Sequence, residues 1–114
     1  MAKYERRFKG DFNRFKDYIH NSIMKASSSV SYEDGSGIIM GDTKLSVQVY
    51  ERYSMAGGNR VSLNLSIIAK DEDIFVSAIT SGGSQAVFFK LNTIGEETFL
   101  DLCIDAVERY ISNN

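Results

Sequence analysis

The sequence predicts an α+β fold in which a curved antiparallel β-sheet packs against an N-terminal helix and a longer C-terminal helix, a reduced form of the helix-grip architecture. Three observations lead to this prediction. Apolar residues recur every three or four positions near both ends, they alternate with polar residues through the middle, and the connections between the alternating runs are too short for helical crossovers. The 114 residues, 43% of them hydrophobic, match one domain spanning residues 1–114.

The first two elements are a short strand and an amphipathic helix. The segment "KYERRF", Lys3 to Phe8, is a candidate strand, and Asp11 is placed to cap the helix that follows. We expect that helix to end at the "SSS" run, since serine side chains compete for backbone hydrogen bonds. It runs from about Phe12 to Ala26 because its apolar residues lie at helical spacing: Phe12, Phe15, Ile19, Ile23 and Ala26.

The middle of the chain alternates with a period of two and predicts the sheet. "VSYED" and "IIMGD" are expected to bracket a turn at Gly35–Gly37, followed by "KLSVQVYERY", "RVSLNLSIIAK", "IFVSAITS" and "QAVFFKL" as further strands. In the first of these long strands the alternation sets Leu45, Val47 and Val49 apart as the apolar face and places Tyr50 on the other, polar face.

The last element is predicted to be a helix from about Glu96 to Ser112. Thr93 and Glu96 form a capping-box pattern, in which the side chains of the first and fourth residues satisfy free backbone N–H groups at a helix start. The following apolar residues recur every three or four positions: Phe99, Cys103, Ala106, Val107, Tyr110 and Ile111.

The stretches "VYERYSMAGGNRVSLNLSI", "FVSAITSGGSQAVFFK" and "GEETFLD" resemble an uncharacterised family of short bacterial proteins found mainly in Gram-positive anaerobes. The resemblance covers nearly the whole chain. It implies a single-domain protein of the bacterial cytoplasm, and it implies no catalytic residues.

Composition argues against several classes of function. The net charge of -2, with basic and acidic residues interspersed, disfavours nucleic-acid binding and anionic membranes. The charged start "MAKYERRFKG" and the lack of a long apolar run predict a cytoplasmic location. The one cysteine excludes an internal disulfide and the usual zinc sites, and no cofactor motif is present, so we expect no metal and no cofactor.

The stretch "SGGSQ", Ser81, Gly82, Gly83, Ser84 and Gln85, is the one glycine-rich candidate for a binding site. It lacks the lysine and the following helix of a phosphate loop, so the interpretation that it bends the sheet is favoured over a backbone-lined anion or peptide contact. Cys103 and His20 are the only residues of their types, and Cys103 lies on an apolar stripe. Inert packing of Cys103 is therefore favoured over a thiolate–imidazole pair.

The polar sheet face also carries apolar residues, as an association surface does. Tyr50, Phe75 and Ile79 are its candidate interface residues. The first hypothesis is therefore a non-enzymatic interaction module that forms a homodimer or binds a protein partner, and an enzyme ranks third. The alternative is a carrier that holds a small apolar ligand between sheet and helices, with a lining of Tyr32, Met40, Phe88, Phe99 and Tyr110.

Overall fold

The computed structural model describes residues 1–54, 59–82 and 89–114, and within these the side chains of 1–53, 60–82 and 96–114. The elements are β1 (Ala2–Lys9), α1 (Phe12–Ala26), β2 (Val30–Met40), β3 (Thr43–Ser54), β4 (Asn59–Lys70), β5 (Asp73–Gly82) and α2 (Phe89–Ser112). The described strands form one antiparallel sheet in the order β1-β5-β4-β3-β2. The predicted α+β class, with a longer C-terminal helix, is confirmed.

Strands β2 to β5 form a meander, and β1 adds to the free edge of β5. Two-residue turns join β2 to β3 and β4 to β5, and the first residue of each turn has a positive φ: Gly41 at 62° and Asp71 at 54°. Hairpin turns need a positive φ at this place so that the turn follows the right-handed twist of the strands. The meander is therefore fixed by local connections, whereas β1 pairs with a strand far along the chain.

Both helices pack on one face of the sheet, which we call the inner face. The Asp11 side chain accepts a hydrogen bond from the Arg14 amide at 2.9 Å and so caps α1 as predicted. The predicted apolar stripe of α1 is buried, from Phe12 to Ile23. The core also includes buried residues of β4, β5 and α2: Val61, Leu63, Leu65, Ile67, Ile74, Val76, Phe99, Cys103 and Val107.

The predicted turn at Gly35–Gly37 is wrong, because β2 is one continuous strand. Gly35 pairs with Gln48 and Gly37 with Ser46, and the irregularity in β2 is a β-bulge between Tyr32 and Asp34. A bulge lets a glycine-containing strand bend without ending its pairing. The paired strand is 11 residues long and forms one edge of the sheet.

The predicted start of the last helix is also wrong. Helix α2 begins at Phe89, so the end of the expected strand "QAVFFKL" is helical, while residues 85–88 lie outside the described part of the chain. Glu96, which the capping-box pattern placed in the first turn, lies inside the helix and is buried. Its carboxylate accepts a hydrogen bond from the Gly82 amide at 2.8 Å. The glutamate therefore ties α2 to the end of β5.

No helix in the described ranges combines the length and the apolar character that crossing a membrane requires.

Candidate functional site

The two faces of the sheet differ in what covers them. Residues of β4 alternate between full burial on the inner face and exposure on the outer face: Leu65 and Ile67 are 0% exposed, whereas Ile68 is 41% exposed. Both helices lie on the inner face, and no element of the described chain lies on the outer face. The outer face is therefore a surface of the described chain on which apolar side chains meet solvent.

Strand β3 has its two faces reversed from the prediction. Directly paired residues of adjacent strands share a face, and Tyr50 pairs with the buried Leu63, so Tyr50 lies on the inner face. The predictions that Tyr50 belongs to the outer interface, and that the set from Leu45 to Val49 faces the helices, are wrong. The physical reason is that the inner position gives the Tyr50 hydroxyl a partner, His20 Nδ1 of α1, at 2.8 Å.

Burial of Tyr50 has an electrostatic consequence. Its ring lies 5.7 Å from the His20 ring and 5.6 Å from the Tyr32 ring, centroid to centroid. Loss of solvent raises the pKa of the Tyr50 hydroxyl, with a smaller contribution from Tyr32, so the group stays a neutral hydrogen-bonding partner. It holds α1 to β3 and carries no charge chemistry.

The reversal of β3 creates a continuous apolar surface on the outer face. We call it the outer apolar patch. Phe75, Ile68, Leu45 and Ile38 are cross-strand neighbours in a single row over four strands. Phe75 is 38% exposed and Ile79 is 39% exposed, so these two predicted interface residues do lie on the outer face. The patch consists of the contiguous residues Ile38, Leu45, Val47, Val49, Ile68 and Phe75, and of Ile79, which Ser77 and Asn64 separate from the others.

Charges of opposite sign flank the outer apolar patch. On the β1 side, Lys3, Glu5, Arg7 and Lys9 project from the outer face, and Arg7 and Lys9 each form an ion pair with Asp73, whereas Asp34 projects from β2 on the other side. Lys3 and Asp34 stand at the two ends of one cross-strand row, which runs through Ile79, Asn64 and Val49. This row therefore carries a positive charge at one edge of the patch and a negative charge at the other, while the remaining charges on β1 are of mixed sign.

The "SGGSQ" stretch is described only in part. Gly83, Ser84 and Gln85 lie outside the described residues. Ser81 Oγ lies 2.8 Å from Ser62 Oγ on β4, and the Gly82 amide is bonded to the Glu96 carboxylate. These two groups are thus engaged within the protein, and the anion-contact interpretation for the rest of the stretch stays a prediction.

Cys103 and the predicted ligand lining are placed as follows. Cys103 is fully buried, and burial raises the pKa of its thiol to about 12, so the thiolate is scarce at neutral pH. Phe99 and Tyr110 are in the packed core, Met40 is exposed beside the β2–β3 turn, and Phe88 lies outside the described residues. Tyr32 is half exposed at the edge strand. The structure does not gather the four described residues, Tyr32, Met40, Phe99 and Tyr110, around one cavity.

The acidic, histidine and cysteine side chains of the described residues form no group of three that is placed to hold a metal ion.

No curated protein matches the chain significantly. A family model described as "Family of unknown function" matches residues 1–111, nearly the whole chain. The expectation of an uncharacterised family is thereby confirmed, while a Gram-positive source stays a prediction. The protein that carries this uncovered apolar sheet face belongs to that family of unknown function, DUF6054.

Proposed function

We propose that the protein is a non-enzymatic interaction module that forms a homodimer through its outer apolar patch. The observation that carries this proposal is the arrangement of seven apolar side chains on a sheet face without a covering element in the described chain. Contiguous exposed apolar patches rimmed by polar residues are typical of association surfaces. A second copy is the partner that the charges at the two edges of the patch favour.

The charges select one of two symmetric ways to stack the outer faces. A two-fold axis parallel to the strands and above β4, the middle strand, places β1 of one copy over β2 of the other. Lys3 then faces Asp34 of the second copy, since both lie in one cross-strand row. An axis perpendicular to the strands places β1 over itself, so Lys3 no longer faces Asp34 and this attraction is lost.

The apolar residues are complementary under the same axis. Ile68 on β4 lies near the axis and meets its own copy, while Phe75 on β5 lies over Leu45 on β3. Face-to-face sheets pack about 10 Å apart with interdigitated side chains. In the dimer, the two Ile68 side chains therefore meet at the centre of the interface, and a Phe75–Leu45 contact between the two copies lies on each side of them.

The size of the face predicts a weak dimer. Five strands spaced by about 4.8 Å, over the roughly seven rows from Lys3–Asp34 to Lys9–Met40 in which all five are paired, cover about 500 Å² per copy, or about 1,000 Å² in total. That area is at the lower end for a specific interface. We therefore expect monomer and dimer to exchange reversibly in the micromolar range of protein concentration.

Sedimentation velocity over a series of protein concentrations tests the association. We expect the parent protein to shift from monomer to dimer with concentration, and Ile79→Lys to stay monomeric with its circular dichroism unchanged. Ile39→Lys is the matched control, because Ile39 is 69% exposed but pairs with Lys44 on the other face of the sheet. A parent protein that is monomeric at high micromolar concentration refutes the dimer.

A charge exchange tests the axis. Lys3→Glu and Asp34→Lys should each weaken the dimer, because each places like charges opposite one another, and the double variant should recover most of the loss. If the double variant dimerises more weakly than either single variant, the axis parallel to the strands is wrong. That result would not test whether the outer apolar patch is the interface, which the Ile79→Lys variant tests.

A further inference from the structure

A groove of about 650 Å³ lies between the start of α1 and the hairpin of β2 and β3. Phe12, Asn13 and Lys16 of α1 form one wall. Gly35 and Gly37 line the groove and pair with Gln48 and Ser46, on the sheet face that α1 covers. Because the two glycines contribute no side chains to this face of β2 between Tyr32 and Ile39, the edge of the inner layer stays open.

Gln48 is the unusual residue of this groove. It is only 8% exposed, and its Oε1 atom is the one buried side-chain polar atom without a hydrogen-bond partner among the described residues. A buried acceptor without a donor destabilises the folded state, so such groups are rare in native structures. Ser46, two residues away on the same face, is 7% exposed. The groove therefore contains polar groups at a depth where they do not serve solubility.

Positive charge gathers at one end of the same groove. The ammonium nitrogens of Lys16 and Lys44 each lie 5.9 Å from the centroid of the Phe12 ring. In the described part of the chain, the groove lining includes these two lysines and no carboxylate. Neither lysine makes a salt bridge with a described residue. Two ammonium groups without counter-ions favour an anion at this end.

We infer that this groove is a binding site for a small organic oxyanion, a carboxylate or a phosphate, that also carries an N–H or O–H donor. The oxyanion lies between Lys16 and Lys44, and the donor bonds to Gln48 Oε1. Lys44 and Gln48 are four residues apart on one strand, which is about 13 Å at 3.3 Å per residue. The lysine side chain is long enough to bridge part of this distance. A ligand of about ten to twenty non-hydrogen atoms can therefore contact both residues.

Tyr32 is the residue that controls access to the amide. A Cβ atom at Gly35 would collide with the Tyr32 hydroxyl, so the tyrosine side chain lies over the glycine that pairs with Gln48. Tyr32 is 46% exposed on an edge strand, and its ring contacts the rings of His20 and Tyr50 at centroid distances of 5.4 and 5.6 Å. A ligand that reaches Gln48 must displace the tyrosine hydroxyl from its place over Gly35, and the aromatic ring then forms a wall for the ligand.

The direct test measures binding of three probes by two-dimensional NMR of the labelled protein at matched ionic strength: glycerol 3-phosphate, adenosine 5′-monophosphate and N-acetylglycylglycine. We expect at least one probe to shift the Gln48 side-chain amide together with Lys16 and Lys44 resonances. Binding of glycerol 3-phosphate or adenosine 5′-monophosphate would identify phosphate as the preferred oxyanion, and binding of N-acetylglycylglycine would identify a peptide carboxylate. If none of the three shifts these resonances, the proposal is refuted.

Three groove variants separate a ligand site from a structural accident. Gln48→Leu should raise the melting temperature, because the unpaired acceptor is removed, yet weaken binding by about tenfold, the loss expected for one hydrogen bond. Lys16→Gln should weaken binding and reduce its salt dependence, whereas Lys25→Gln, in the last turn of the same helix, is the control. Gly37→Val should abolish binding, and circular dichroism must confirm that the fold is kept, since a Cβ there lies 3.3 Å from the Leu45 carbonyl oxygen, which has to shift slightly.

The combination of higher stability and lost binding in Gln48→Leu is what a merely structural glutamine would not produce. If Gln48→Leu lowers the melting temperature and binding is unchanged, the glutamine is a structural residue and the inference is wrong. The groove lining shares Ile38, Leu45 and Val47 with the outer apolar patch but does not include Ile79, so Ile79→Lys should not change probe binding. The dimer and the ligand site can thus fail separately.

Discussion

Glu96 offers the sharpest test of how α2 is held to the sheet. Its side chain is buried, and Oε2 accepts from the Gly82 amide at 2.8 Å while Oε1 lies 3.0 Å from the amino group of Met1. Its backbone oxygen accepts a hydrogen bond from Thr80 Oγ at 3.1 Å. Replacement of Glu96 therefore removes side-chain contacts between the helix and the end of β5 but keeps one backbone contact.

The size of the effect follows from which partners lose their bonds. Glu96→Gln keeps the shape and an acceptor for the Gly82 amide but loses the charge, and the difference between a charged and a neutral hydrogen bond is about 1 kcal/mol. The Met1 amino group is largely exposed, so its ion pair adds at most about 1 kcal/mol. Glu96→Ala also leaves the Gly82 amide without a partner, and we expect about 3 kcal/mol.

Urea unfolding followed by circular dichroism measures these losses, and a melting curve should show a decrease of roughly 10 °C for Glu96→Ala. Glu97→Ala and Glu97→Gln are the controls, because Glu97 is exposed on the same helix turn. The expected order of stability is parent, Glu96→Gln, then Glu96→Ala. If Glu96→Ala costs no more than Glu97→Ala, the bond to Gly82 does not stabilise the fold and the reasoning fails.

Two further predictions concern the turns and the thiol. Gly41→Ala should lower the free energy of unfolding by about 1 kcal/mol from backbone strain alone, because φ is 62° and no atom lies within 4 Å of an added Cβ. Asp71→Gly at the equivalent turn should raise the free energy of unfolding. Equal effects of the two changes in urea unfolding would contradict this reasoning. Cys103 should react with a thiol reagent only on unfolding, and because its folded pKa is raised from 9.0 to about 12, its contribution to stability is complete below pH 9 and is lost as the pH rises toward 12. Rapid labelling of the native protein at neutral pH would contradict the burial of the thiol.

Local patterns predicted most of the elements because the decisive signals are local. The N-cap at Asp11 and the apolar stripe from Phe12 to Ile23 gave helix α1 with the correct ends. Strand β4 alternates strictly and is a middle strand, so its apolar face had to be the inner one. These predictions needed no information about distant residues.

The reversed faces of β3 could not be predicted from period two alone. Alternation divides a strand into two sets of residues but does not say which set faces the helices. The partner that decides for Tyr50 is His20, thirty residues earlier on another element. Polar Ser46 and Gln48 follow Tyr50 to the inner face because the side-chain period is fixed, which leaves the apolar set from Leu45 to Val49 outside.

Glu96 and the two glycines of β2 show how one residue type serves different ends. A glutamate three positions after a threonine is typical of a capping box, yet here it bonds to Gly82 on another element. Gly35 and Gly37 suggest a turn, yet they keep one face of a paired strand bare. Their spacing of two was the signal for the groove, since residues two apart in a strand share a face.

The distant pairing of β1 with β5 has a consequence for the way the chain folds. Ala2 pairs with Thr80, so this contact closes a loop that contains α1 and most of the meander, while β2 to β5 pair through neighbouring turns. We expect the meander to form early and β1 to join last, so changes in β1 should mainly speed unfolding. During synthesis, β1 must wait until β5 has been made, and its side chain Phe8 meets Tyr110 only when the last helix is complete.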